Sequence, residues 1–212
     1  MKKFELTSET KINIFGKKLF RIKALISFGN VEAGETGGWV EKEENVNQSG
    51  NAWVSGNAEV FDNARVSGNA MVFDNARVSG NAEVFDNARV SDNARVSGNA
   101  WVSGNAEVSG NAMVSDNAWV SGNAEVSGNA RVFGNADYAT IHGFGTQFRT
   151  TTFFRCKDKQ VKVSCGCFYG TIPEFREQVK NTRKGKIAEE YLMIADLMEK
   201  HFAEEAKIEE AS

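Results

Sequence analysis

Proline, cysteine and histidine are all scarce. One Pro, three Cys and two His occur in 212 residues. A chain of this length can bury a core, so no disulfide framework is needed. With no basic-then-apolar leader, the cysteines fit a reducing setting, and the expected location is cytoplasmic. No apolar run approaches ~18 residues, so no membrane span is expected. A single Pro against 20 Gly points away from a linker-rich chain and toward glycines placed by a repeat. Residues 49–138 contain no Thr, which excludes an ice-binding face of outward threonine columns, and no Lys. A lysine-free surface is a poor general nucleic-acid binder, because phosphate contacts need cations. P-loop, Rossmann and H-E-x-x-H patterns are missing as well, so no cofactor and no metal is expected.

A repeat dominates what is present. From Ser49 to Tyr138 the chain reads SGNAWV SGNAEV FDNARV SGNAMV and onward to FGNADY, 15 hexapeptides in 90 residues without an insertion. Val recurs in every hexapeptide from Val54 to Val132. A period of six excludes a helix, whose apolar positions recur near 3.6. Alternation inside the unit predicts a short strand with Ala and Val inward, the variable residue and Ser or Phe outward. Gly-Asn or Asp-Asn then makes a corner, with Asn tolerating the left-handed backbone and its side chain bonding locally. Three hexapeptides predict one triangular coil. Fifteen predict five coils, each rising about 4.8 Å, in a prism roughly 24 Å tall. Val and Ala would fill it, leaving no room for a ligand inside. Stacked corner asparagines would form hydrogen-bonded ladders satisfying otherwise buried groups.

The unit V-[SF]-[GD]-N-A-x resembles the hexapeptide repeat of left-handed parallel β-helices, a fold found in CoA-dependent acyltransferases. The resemblance covers about 90 of the 212 residues. It implies a mainly β fold and a left-handed coil, an exception to the usual crossover rule.

Both ends of a solenoid need caps. In residues 1–48, KINIF-GKK-LFRIKALISF predicts an N-terminal β-hairpin. The GGWV stretch, Gly37 to Val40, resembles the N-terminus of bacterial hexapeptide proteins assigned to the transferases. Residues 139–212 read as a small α+β domain. GTQFRTTTFFRC and VKVSCGCFYG predict a hairpin around Lys157-Asp158-Lys159-Gln160. Thr171 and Glu174 form a capping-box pattern that starts a helix, with Ile172, Phe175 and Val179 apolar. A second helix is expected from about Lys186 to Ala206, with Ile187, Tyr191, Ile194, Met198 and Phe202 as its stripe. This tail resembles that of proteins from gut Firmicutes and their prophages, which implies a mobile-element setting.

Hexapeptide acyltransferases use a histidine base beside a groove between subunits. Here His142 and His201 both lie outside the repeats, and no loop interrupts the coils. His142 follows the last coil and could line a junction, whereas His201 reads as solvated. Cys165 and Cys167 are expected on one strand face with Cys156 on the partner strand. Three cysteines with one C-x-C fit buried reduced thiols better than a zinc site. No catalytic residue is expected.

Folding the repeat by one coil sorts the outward residues onto three sides. The first carries Trp53, Met71, Arg89, Glu107 and Glu125, with Phe73 beside Met71. The second carries Glu59, Arg77, Arg95, Met113 and Arg131, with Phe61 and Phe133. The third carries Arg65, Glu83, Trp101, Trp119 and Asp137, with Phe85 next to Glu83. Trp101 and Trp119 should lie on adjacent coils with Phe85 flanking them below. Such groups suit a partner surface or a stacked cross-strand pair equally, while the single phenylalanines suit flat packing better. The candidate partner-surface residues are Trp53, Met71, Phe73, Phe85, Trp101, Trp119, Arg77, Arg95 and Arg131. Trp and Arg are the types enriched at binding hot spots.

Residues 49–138 hold five Arg against ten Asp and Glu, a balance of −5. That is far below duplex DNA at one charge per ~1.7 Å, which argues against nucleic-acid mimicry. The expected function is a non-catalytic interaction solenoid that binds another protein or protein complex. The prophage resemblance extends this to an inhibitor of a bacterial nuclease or CRISPR effector. The alternatives are a CoA-dependent hexapeptide acyltransferase and a structural scaffold or virion component. A homo-oligomer, dimer or trimer, is also expected, since hexapeptide enzymes commonly trimerise.

Overall fold

The computed structural model describes residues 2–203. Its centre is a parallel β-solenoid of about five turns, built from fourteen two-residue strands running from Trp53–Val54 to Arg131–Val132. Each strand holds the variable residue and the Val of a hexapeptide, and neighbours along one face are one coil apart, as in Trp101↔Trp119 and Val102↔Val120. The three faces carry the outward residues that the three-hexapeptide period predicts, except that Asp137 leaves the third face and sits in a short 3-10 turn, Asn135–Asp137. Every Val and Ala from Ala52 to Val132 at the two inward positions is buried. They form one continuous core, with two small side chains per hexapeptide filling the narrow section.

The corner differs from expectation in one respect. Positive φ falls on the residue before Asn, not on Asn itself: Gly68 at 67°, Gly98 at 68°, Asp86 at 59° and Asp116 at 57°. That residue is the first central position of a turn closed by an Ala N–H to the Ser or Phe carbonyl, as from Ala100 to Ser97 at 3.3 Å. Gly takes this backbone without penalty. Asp offsets part of its cost through the next coil: the Asp62, Asp86 and Asp92 carboxylates accept from the N–H groups of Gly80, Gly104 and Gly110 at 3.2, 3.1 and 2.9 Å. The Asn side chains do form ladders, for example Asn69 to Asn87 to Asn105 at 3.0 Å each. These ladders are solvent-exposed, so they tie coil to coil rather than satisfying buried groups.

The N-terminal hairpin is β1, Phe4–Ile12, paired antiparallel with β2, Lys18–Ala24. β3, Thr36–Val40, pairs antiparallel with β2 and parallel with Glu59–Val60, so the hairpin is continuous with one prism face in an eight-stranded sheet. Gly37 and Gly38 make that join possible. A Cβ at Gly37 would lie 2.5 Å from Ile22 Cγ1, and one at Gly38 2.7 Å from Val54 Cγ1. Side chains satisfy the open carbonyl edge of the lowest coil. Lys3 Nζ donates to Ala52 O at 2.7 Å, Asn45 Nδ2 to Ala64 O at 2.8 Å and Arg21 to Gly56 O at 2.9 Å.

At the other end the predicted hairpin, Arg149–Arg155 with Val161–Cys165, is flanked by two further strands, Tyr138–Phe144 and Phe168–Thr171, giving a four-stranded antiparallel sheet. Helices α1, Ile172–Thr182, and α2, Gly185–His201, pack on it around Phe153, Phe175, Tyr191 and Met198. The α1 capping box forms as predicted. Residues 204–206 of the expected second helix lie outside the described residues. Phe154 enters the prism core. The free N–H edge of the last coil is closed by side chains: Trp119 donates to Asn135 Oδ1 at 2.8 Å, Glu125 to Thr152 Oγ1 at 3.0 Å and Phe133 to Asp137 Oδ2 at 2.9 Å. Among the described residues no helix is long and apolar enough to cross a membrane.

The cysteines do not share a strand face. Val161–Cys165 ends at Cys165, a turn at Gly166 follows, and Cys167 is exposed in that turn. Cys165 is half-buried and Cys156 is buried at an isolated bridge to Ala130.

Candidate functional site

The third face carries the largest exposed aromatic cluster on the solenoid. Phe85, Trp101 and Trp119 rise through three successive coils. Phe85 meets Trp101 at 6.2 Å between centroids and 80°, and Trp101 meets Trp119 at 5.8 Å and 75°. Edge-to-face contact of this kind is favourable. It therefore serves both readings of the pair: the rings stack across strands, yet Trp101 and Trp119 stay 43% and 49% exposed.

Two residues that the repeat does not single out hold the ridge in place. Ser103 stands one coil above Phe85, in the same column, and Trp119 Nε1 donates to its hydroxyl at 3.2 Å. Ser also stands in this column at 67 and 121, so the sequence does not mark Ser103, and its bond to the indole appears only in the fold. The Tyr138 hydroxyl donates to the Trp119 carbonyl. At the base of the same face Glu43, Glu44, Arg65 and Glu83 line a shallow cleft of about 490 Å³, three carboxylates to one guanidinium. Glu83 is directly in register with Trp101. The face thus grades from acidic at its foot to aromatic above.

The remaining candidates lie elsewhere. Trp53, read as outward and available, is 1% exposed. It does point away from the prism axis, but the N-terminal cap folds over it. Phe4 and Phe28 pack edge-on at 6.2 and 5.4 Å. Met71 is half-buried between Trp53 and Arg89, and Phe73 is covered by the Arg89 guanidinium at 5.1 Å. Arg77, Arg95 and Arg131 share the second face. Arg77 pairs with Glu59 at 3.5 Å, and Arg131 donates to the carbonyls of Asn111 and Ala130 at 3.0 and 2.8 Å. Of that row Arg95 is exposed, while Arg77 and Arg131 are half-buried. The structure therefore brings Phe85, Trp101 and Trp119 together and distributes the other six over two different faces.

His142 is exposed on the strand Tyr138–Phe144, its Nδ1 3.3 Å from Thr150 Oγ1. It borders a cavity of about 430 Å³ with Asn123, Glu125, Phe148 and Arg149. Burial, with Asp158 nearby, pushes the Cys156 thiol up to about 11. It is thus protonated at neutral pH and a poor nucleophile.

Three stretches of the solenoid, residues 64–80, 88–104 and 106–122, match a family model described as YdcK Beta solenoid repeat. No curated protein matches the chain. The match agrees with the architecture, and the chain is a β-solenoid repeat protein.

Proposed function

We propose that this β-solenoid is a non-catalytic interaction module that grips a protein partner through the face carrying Phe85, Trp101 and Trp119. The observation that carries the reading is the aromatic ridge, half-exposed and fixed to a rigid hydrogen-bonded ladder. Rigid aromatic groups make strong anchors because little entropy is lost when they are covered. At its foot Glu44 and Glu83 favour a partner segment that is basic beside an apolar stretch, while Glu43 is paired with Lys2 at 2.7 Å. The same acidity disfavours nucleic acid. Within this reading the protein acts in the cytoplasm as a mobile-element inhibitor of a bacterial nuclease or CRISPR effector. The basis for that part is the resemblance of the tail to prophage proteins.

The test is recovery of partners from host lysate with the wild-type chain and with Trp101→Ser/Trp119→Ser, followed by titration of each purified partner. Loss of two anchors should weaken binding at least about 30-fold, from roughly 2 kcal/mol or more. Equal recovery by the double variant sinks the reading. One observation favours an acyltransferase instead: the position of His142 beside a cavity. That reading requires acetyl-CoA binding lost in His142→Ala, and calorimetry with no heat on CoA addition dismisses it.

A further inference from the structure

A further concave site lies in the C-terminal domain. It is a cavity of about 430 Å³ enclosed by the Cys165–Tyr169 turn, the last turns of α1 and Tyr191 of α2. That volume falls in the range of small-molecule sites. Its floor is apolar: Phe175, Val179 and Tyr191 are buried, and Phe168 is half-buried. Its rim carries Arg149 and Arg183, and no carboxylate lines it. Among the described residues neither guanidinium is ion-paired with a carboxylate, whereas Arg155 and Arg176 of the same domain are. Arg183 donates one bond, to Thr182 O at 3.2 Å, which leaves most of its five donors free. Burial raises the Tyr191 phenol, with Arg149 and Arg183 opposing, and its hydroxyl donates to Phe144 O at 3.3 Å. Thr182 and Gln178 add polar groups to the wall.

Arg149 and Arg183 are both solvent-exposed, and they place two guanidinium groups on a cavity lining that holds no carboxylate, an arrangement that suits an anion. Beneath them the side chains of Phe168, Phe175 and Val179 offer apolar contact to the body of a ligand. We infer that this cavity binds a small organic anion, a carboxylate or phosphate head on a flat apolar body, with the head held by Arg149 and Arg183 and the body against Phe168, Phe175 and Val179. Guanidinium groups recognise both heads by paired hydrogen bonds. Cys165 and Cys167 line the same cavity and report its occupancy.

The experiment uses the full chain. Phenyl phosphate, benzoate, inorganic phosphate and benzyl alcohol are titrated calorimetrically, and N-ethylmaleimide alkylation of Cys165 and Cys167 is followed by peptide mass spectrometry. Phenyl phosphate and benzoate should bind and slow alkylation of both thiols, and their ranking tells which head the site prefers. Inorganic phosphate and benzyl alcohol should bind at least about tenfold more weakly, because each lacks half of the recognised structure. Arg149→Gln with Arg183→Gln should weaken phenyl phosphate at least about tenfold. Gln178→Trp, at an exposed lining position, should block the cavity without disturbing the core. No heat and no protection at about 10 mM of either aromatic anion overturns the inference. So does binding that survives the double Arg variant or the Gln178→Trp block, and so does equal affinity for benzyl alcohol.

Discussion

Lys3 sits at 2% exposure under the lowest coil and holds two backbone carbonyls, Ala52 O at 2.7 Å and Gly50 O at 3.3 Å, with its ammonium 4.7 Å from the Phe28 ring. These contacts favour the charged form, but burial outweighs them and lowers the pKa from 10.5 to about 8. A lysine depressed in the folded state has a definite sign. Below pH 8 both states carry the proton and the penalty is constant. Between pH 8 and 10.5 the unfolded chain keeps a proton that the folded chain has lost, so stability rises with pH. The full window corresponds to about 3 kcal/mol, at about 1.4 kcal/mol for each pH unit. Tyr169, Tyr191 and Cys156, all raised by burial, pull the other way over the same range. The comparison is therefore with Lys3→Met, which keeps the stem and removes the titration. Urea unfolding of both proteins from pH 6 to 10 should give a stability difference that is flat to about pH 7.5, then shifts in favour of the wild type by about 1 kcal/mol or more by pH 9.5. A difference that stays constant across the range would show that the Lys3 ammonium is not desolvated and that the coil edge is not closed as described.

Val102, fully buried between Val84 and Val120, should lose about 2 kcal/mol on truncation to Ala, measured by denaturant unfolding. Gly98 and Gly122 share a φ of 68°, but a Cβ at Gly98 would lie 2.7 Å from Asp116 N while one at Gly122 meets nothing within 4 Å. Gly122→Ala should cost about 1 kcal/mol for the backbone alone, and Gly98→Ala at least about 2 kcal/mol more through coil-to-coil collision. Equal melting temperatures would contradict that stacking. Thr171→Ala should remove the α1 cap and about 1 kcal/mol, seen as faster amide exchange in the first helical turn.

The solenoid is legible in the sequence because its period is local and repeated fifteen times, so one hexapeptide fixes inward and outward positions for all. The pairing of Trp101 with Trp119 follows from that arithmetic alone. What lies outside the repeat is harder to foresee. Trp53 is buried because Phe4 and Phe28, both from the N-terminal cap and distant in the chain, fold back over it, and no short-range pattern encodes such a contact. The corner is ambiguous between two adjacent residues. Asn tolerates positive φ, but the column before it alternates Gly with Asp, and Gly takes that backbone most freely, which is the signal that places the corner there. Tyr138 reads as the end of a hexapeptide and instead begins the C-terminal sheet, with its hydroxyl on Trp119. Gly166 ends the strand that would have aligned Cys165 with Cys167. The cavity beneath Arg149 and Arg183 gathers residues from strand, turn and two helices, a convergence that exists only once the domain has folded.

The interaction reading is tested most directly by photo-crosslinking from each face separately. A benzophenone amino acid is placed at position 121, beside Trp119 on the aromatic face, or at 89 or 95 on the other two sides, and each protein is irradiated in host lysate. The account predicts one specific crosslinked partner from position 121 and none from 89 or 95. Equal crosslinking from all three, or none from 121, would contradict it.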